Sequence, residues 1–144
     1  FADVKSVKFA PNNYFFATRT FGDLMIFDIR KPNETYAQLD VQWFKRMDSV
    51  TLTGMGSDKF GLEFIDEIRI MSGAYDETMV VWDFENHSSN KVEVRDQNKK
   101  KDYSHFLNQV NCIKTNPIVD LVAATSNESI YFFTLGDDSI DSVM

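Results

Sequence analysis

Side-chain catalysis needs a nucleophile, a base or a metal cradle at defined spacing, and the 144-residue sequence offers few of these. Two histidines, His105 and the His87 of Asn86-His87-Ser88-Ser89-Asn90, together with the single Cys112, are too few to build a zinc site from these ligands alone. A histidine base also needs a positioned partner, so both are read as exposed or locally satisfied. Ser88-Ser89 does not stand in a Gly-x-Ser-x-Gly elbow. Gly54-Met55-Gly56 lacks the Lys-Ser/Thr that follows a phosphate-binding loop and is read as a connection. The acids Asp23, Asp76, Glu77 and Glu128 fall in polar turns, where an aspartate braces the turn through its own backbone. Together such acids make a negative potential that attracts basic groups. The chemistry is recognition rather than bond-making, with no catalytic residue, metal or cofactor expected.

Composition narrows the partners. With 43% of residues hydrophobic and 26% charged, the chain has the balance of a globular domain rather than a disordered one. Its net charge of -7, from 22 acids against 15 bases, disfavours nonspecific contact with nucleic acid or an anionic membrane surface. The longest apolar stretches, such as Met79 to Trp82 and Ile130 to Phe133, fall far below the roughly 18 residues that cross a bilayer as a helix. A lone cysteine in apolar context suits a reduced compartment, so cytoplasm and possibly nucleus are the expected locations. The opening Phe1, with no charged and apolar leader after it, reads as the start of a partial chain.

The elements that must carry these turns are strands. Aromatic residues, 14% of the chain, are interleaved with Val and Ile in short runs rather than at helical spacing. Aligned with itself, the sequence shows one pattern three times without gaps: Ala17 to Asp28, Ser72 to Asp83 and Ala123 to Thr134. Each copy has small residues, a polar turn, an alternating apolar strand, then an aromatic and a polar residue, as in two antiparallel strands joined by a tight turn. Flanking strands are expected at Val4 to Phe9, Thr35 to Asp40, Gly61 to Ile65, Val92 to Arg95 and Val110 to Lys114. No outer strand is expected after the third copy, because Gly136 to Met144 is acidic and weakly apolar. A short helical turn is expected on Gln42 to Val50, and a solvated loop around Lys99-Lys100-Lys101.

The middle copy, Ser72-Gly73-Ala74-Tyr75-Asp76-Glu77-Thr78-Met79-Val80-Val81-Trp82-Asp83, closely resembles the signature of WD-repeat β-propellers. The resemblance implies an all-β single domain over 1–144, a partial ring of about three consecutive blades at 1–40, 60–95 and 108–135, with connections at 41–59 and 96–107. In such a ring Ser72 and Gly73 let neighbouring blades approach, and Trp82 packs between them. Turns between second and third strands share one face, which makes Thr20, Phe21, Asp23, Tyr75, Asp76, Glu77, Asn127 and Glu128 the candidate binding rim. Phe9, Phe16 and Phe27 at one end, and Ile130 and Phe132 at the other, would face water in an open arc.

A finer resemblance rests on Val7-Lys8-Phe9-Ala10-Pro11-Asn12-Asn13-Tyr14, Thr18-Arg19, Phe27-Asp28 and Pro32-Asn33-Glu34-Thr35-Tyr36, followed by Asp58 to Phe64 and Ile118 to Phe133. In this order the segments look like the C-terminal part of the regulatory B subunits, 55-kilodalton class, of protein phosphatase 2A. The Thr-Arg pair and the Pro-x-Glu-Thr-Tyr run are not general WD-repeat features. The resemblance implies a non-catalytic regulatory, substrate-recruiting subunit. Its partners would be a phosphatase catalytic subunit, a helical-repeat scaffold subunit and basic phosphoprotein substrates, with no nucleic acid and no membrane. Thr20 and Phe21 stand where the family has Asp and Tyr, and Met25 where it has Lys, which implies a divergent homologue, or one with altered substrate choice. An unrelated WD-repeat interaction scaffold and an enzyme built on a propeller are the competing readings.

Overall fold

The computed structural model describes residues 4–41, 60–74, 78–93, 110–116, 118–126, 129–135 and 140–142. Within these residues the chain forms strands and no helix. The strands are β1 (Ser6–Phe9), β2 (Phe15–Arg19), β3 (Asp23–Asp28), β4 (Thr35–Asp40), β5 (Leu62–Phe64), β6 (Arg69–Gly73), β7 (Thr78–Asp83), β8 (Ser88–Glu93), β9 (Cys112–Asn116), β10 (Leu121–Thr125), β11 (Ile130–Leu135) and β12 (Ile140–Ser142). They pair antiparallel, each with its sequence neighbour, in three four-stranded sheets: β1 to β4, β5 to β8 and β9 to β12. Of the innermost strands, β5 lies between β1 and β9 and packs against both, so the sheets radiate from a common edge.

Period-two side-chain alternation sorts each strand between two seams. In β7, Val80 and Trp82 point to the first sheet, where they join Leu24, Ile26, Leu62, Phe64 and Ile70 in one buried cluster. Met79 and its neighbour Met71 point the other way, into a second cluster with Val110, Ile113, Val122, Ala124 and Phe133. The middle sheet is covered on both faces. Phe84 closes the first seam, its ring packed edge-on at 5.6 Å from Phe15 and 5.9 Å from Trp82. Fully burying side chains of this size stabilises by about 1.5–3 kcal/mol each.

The outward faces of the end sheets are apolar and wet. Val7 and Phe9 are more than half exposed, and Phe9, Phe16 and Phe27 form a run of rings 5.9 and 5.1 Å apart on that face. At the far end Ile130 is 67% exposed and Phe132 39%. Of the residues expected to face water in an open arc, Phe9, Ile130 and Phe132 are exposed, while Phe16 and Phe27, stacked on one another, are half-buried.

Three expectations change. The third sheet does have an outer strand: β12 pairs with β11, with Leu135 opposite Ile140 and Phe133 opposite Ser142. An edge strand of three residues is held by backbone bonds, so it needs little of the apolar alternation by which strands are recognised. The outer strand of the middle sheet begins at Ser88, earlier than the expected Val92, and takes in Ser88-Ser89-Asn90. The strand expected to start at Val110 begins at Cys112. The helical turn expected on Gln42 to Val50, the Lys99-Lys100-Lys101 loop and His105 lie outside the described residues.

Two turns have non-glycine residues in left-handed conformation, Asn13 with φ 59° and His87 with φ 54°. His87 closes the β7–β8 turn, whose Asp83 carboxylate accepts bonds from the Asn86 backbone N–H at 2.9 Å and side-chain amide at 2.7 Å. This places His87 in turn geometry. At the β3–β4 turn the Asp28 carboxylate accepts from Arg30 Nε at 2.9 Å, Nη2 at 2.8 Å and the Arg30 backbone N–H at 2.9 Å. The Arg30 side chain, seconded by its backbone N–H, lowers the Asp28 pKa to about 2. An unfolded aspartate titrates near about 4. The stabilisation is therefore complete above that pH and lost as pH falls toward 2. Asp28→Asn should flatten the pH dependence of unfolding free energy across this window, measured by urea titration of both proteins. Equal slopes would show that the bond gives no folded-state preference.

Candidate functional site

The candidate rim lies at the turns joining second and third strands of each sheet. The first, Thr20 to Gly22, is fully described. Its backbone closes through Thr20 N–H to the Asp23 carbonyl at 2.9 Å, and the Thr20 hydroxyl accepts the Asp23 N–H at 3.1 Å. Thr20 is thus a turn-closing residue, buried to 2% exposure. The Asp23 carboxylate accepts a bond from the Gln38 amide at 3.0 Å on the exposed edge. Phe21 is half-buried, edge-on to Phe60 at 5.8 Å, with the Lys5 ammonium 4.9 Å over its ring.

Beneath this turn sits a residue whose role was not legible in the sequence. Arg19, the last residue of β2, is 1% exposed. Its Nε donates to the Ser72 hydroxyl of the middle sheet at 2.9 Å, and Nη2 to the Gly73 carbonyl at 3.4 Å. Its Nη1 donates to the carbonyls of Thr20 and, at 3.0 Å, Phe21. The guanidinium plane lies 4.3 Å over the Phe60 ring. One fork therefore ties the first turn to the strand that leads into the second. Only a planar, multiply donating cation can satisfy acceptors spread in this way. The signal was the Thr18-Arg19 pair, which reads as an ordinary exposed charge unless its burial is known.

Backbone approach fixes the second and third turns to one another. The Gly73 N–H donates to the Gly61 carbonyl at 2.8 Å, Gly61 N–H to Val110 at 3.0 Å, and Val110 N–H to Ala74 at 3.0 Å. Ala74 N–H meets the Thr78 carbonyl and Ser126 N–H the Ser129 carbonyl, each at 2.9 Å, closing the second and third turns. The Thr125 hydroxyl donates to the Asn111 side-chain oxygen at 2.9 Å, bracing the third. Tyr75, Asp76, Glu77, Asn127 and Glu128 lie outside the described residues. Among the described residues no group of three His, Cys, Asp or Glu converges as a metal cradle would.

Three sheets radiating from one edge, each joined to the next by its innermost strand, match solved structures over nearly the whole chain. A chain of the crystal structure of the mitotic checkpoint complex superposes with TM-score 0.68 over 99% of this chain, at 10% identity. The crystal structure of the Myceliophteria thermophila Cps50 (Swd1) β-propeller domain does so with TM-score 0.66 over 98%, at 14% identity. The fold is a WD-repeat β-propeller, present as an arc. The chain spans 38% and 37% of the length of those two propeller chains. No protein-family model matches the sequence, and no curated protein matches it. In propeller terms the three sheets are successive blades, with the small residues Ser72 at the first seam, against Arg19, and Gly73 at the second, against Val110. Trp82 is the inter-blade aromatic, at 3% exposure.

Proposed function

We propose that this propeller arc belongs to a non-catalytic regulatory subunit of a protein phosphatase 2A type serine/threonine phosphatase, which recruits basic substrate segments to an acidic rim. The observation that carries the reading is the Thr18-Arg19 pair. It is a feature of the B-subunit resemblance rather than of WD repeats in general, and here Arg19 is the fork that braces the rim turn. The Pro32-Asn33-Glu34-Thr35-Tyr36 run also has a definite place, since Tyr36 packs 4.9 Å from Phe15 and its hydroxyl donates to Glu85 at 2.5 Å. The rim acids would be Asp23, Asp76, Glu77 and Glu128, in a chain of net charge -7. Exposed pairs are individually worth about 0–1 kcal/mol, so recruitment works through summed field and association rate. In this reading the catalytic and helical-repeat scaffold subunits are separate chains, and the complex works in cytoplasm or nucleus.

The coarser reading, a WD-repeat interaction scaffold outside any phosphatase, is supported by the propeller neighbours. Affinity purification of the full-length protein separates the two. Co-purifying phosphatase catalytic and scaffold subunits are expected, and their absence leaves the scaffold reading. Charge reversal at Glu77 and Glu128 tests the rim itself. Binding of a Lys/Arg-rich peptide should fall at least tenfold and become less salt-sensitive while the fold survives. Unchanged binding at low salt would remove this face from consideration.

A further inference from the structure

The chain is acidic, yet the described strands at its inner edge are not. β1, β5 and β9 carry two lysines, Lys8 and Lys114, against one acid, Glu63. One residue comes from each blade, and all three meet at mid-height, where Lys8 lies opposite Ala17, Glu63 opposite Met71 and Lys114 opposite Ala123. Both ammonium nitrogens are 3.4 Å from the same atom, Glu63 Oε2. The two cations are therefore no farther apart than twice that distance. Glu63 Oε2 is buried and both contacts are ion pairs; an ammonium has three donors, so one carboxylate oxygen shared by two lysines engages only part of their donor capacity. Lys114 keeps 66% of its side-chain surface open and Lys8 keeps 34%, against 13% for Glu63.

A bridge built only to join blades would use one lysine per carboxylate. Two partly open lysines converging on one recessed carboxylate leave a net positive charge and donors beyond those one carboxylate oxygen can take. A tetrahedral anion can take bonds from both at once, which chloride cannot do with defined geometry. We propose that the inner wall of the arc, at Lys8 and Lys114, binds a phosphate-type oxyanion, with Glu63 setting the spacing and moderating the affinity. The site is distinct from the rim and does not rest on the phosphatase reading. The same chemistry is offered by a free anion and by a phosphorylated side chain of a partner.

The test uses the full-length protein, titrated with inorganic phosphate and separately with a phosphoserine peptide and its unphosphorylated form. Chloride at matched ionic strength is the control, and heat of binding and unfolding midpoint are the readouts. Phosphate or the phosphopeptide should bind and raise the midpoint beyond chloride. Lys114→Met should weaken that binding about tenfold, and Lys114→Arg should restore most of it. Glu63→Gln should tighten it several-fold, the opposite of its effect on a merely structural ion pair. Binding to phosphate alone assigns a free anion, and binding seen only with the phosphopeptide assigns a partner's modified residue. If phosphate and both peptides act as chloride does, or if Lys114→Met leaves binding unchanged, the proposal is overturned. Lys114 is mostly exposed, so its variants fold even where Glu63→Gln does not.

Discussion

Replacing Arg19 with Met should cost about 3 kcal/mol of unfolding free energy, a large part of the 5–15 kcal/mol that typically holds a domain. The substitution keeps bulk over Phe60 but removes the donor to the Ser72 hydroxyl and to the Thr20 and Phe21 carbonyls, while the Gly73 carbonyl keeps the Ser72 hydroxyl at 3.2 Å. Buried acceptors stripped of partners are penalised more than the bond itself is worth. Arg19→Lys should recover little, because one ammonium cannot reach across the seam and under the turn together. Urea unfolding of the full-length variants measures both. The rim should register the change too: Phe21, released from its backbone brace, should lose its edge contact with Phe60, visible as shifted aromatic resonances. A loss below about 0.5 kcal/mol in Arg19→Met would mean the fork is replaceable, and with it the idea that this residue positions the first turn.

Gly73→Ala is the second large effect, and its origin is space rather than backbone freedom. A Cβ at this position would lie 1.9 Å from the Val110 carbonyl oxygen and 2.9 Å from its carbon. Both are backbone, fixed by the bonds that join Gly61, Val110 and Ala74. The strand must therefore retreat, opening the second seam where Met71, Met79 and Val110 are fully buried. Overpacking of this kind costs about 3 kcal/mol, and more where the neighbour is main chain. Gly61→Ala is the informative control. Its Cβ would meet Ile113 Cγ1 at 2.7 Å and the backbone of Cys112 and Ile113 at 3.0 Å, a shallower overlap than the 1.9 Å at Gly73. Thermal unfolding should rank Gly73→Ala well below Gly61→Ala and wild type. The reverse order would place the tight contact elsewhere.

The parts of the fold that were legible are those where side chains report their surroundings. β7 is covered on both faces, so Met79, Val80, Val81 and Trp82 had to be apolar in succession, and the repeat was plainest there. β4 was found with its full bounds, Thr35–Asp40, because Ala37 and Leu39 alternate toward the first seam. β12 was missed because main-chain bonds hold it, and those leave no trace in residue type. Ser88 to Asn90 carries no strand signal for the same reason: the outer edge of a blade is exposed, and polar residues pair there as well as apolar ones. At the rim, Thr20, Phe21 and Asp23 were selected for their place in a turn. The structure gives Thr20 a closing role and adds Arg19 and Phe60 beneath it. An arginine at a strand end looks like a surface charge until a second segment, distant in sequence, is folded over it. Lys8, Glu63 and Lys114 were invisible as a set because each is an unremarkable charge within its own strand.

The first seam is stitched at three radii. The Ser6 hydroxyl donates to the Phe60 carbonyl at 2.6 Å near the axis, Arg19 reaches Ser72 beneath the rim, and Tyr36 reaches Glu85 at the periphery. Each stitch has its donor in one blade and its acceptor in the next or in the residue leading into it. The unit of repetition in the sequence is thus not the unit of chemical completeness. A blade copied or exchanged as a cassette would arrive with Ser6, Arg19 and Tyr36 but without the oxygens they were shaped to meet. New rings assembled from this material should therefore accept whole pairs of blades more readily than single ones, because the heritable module is the joint.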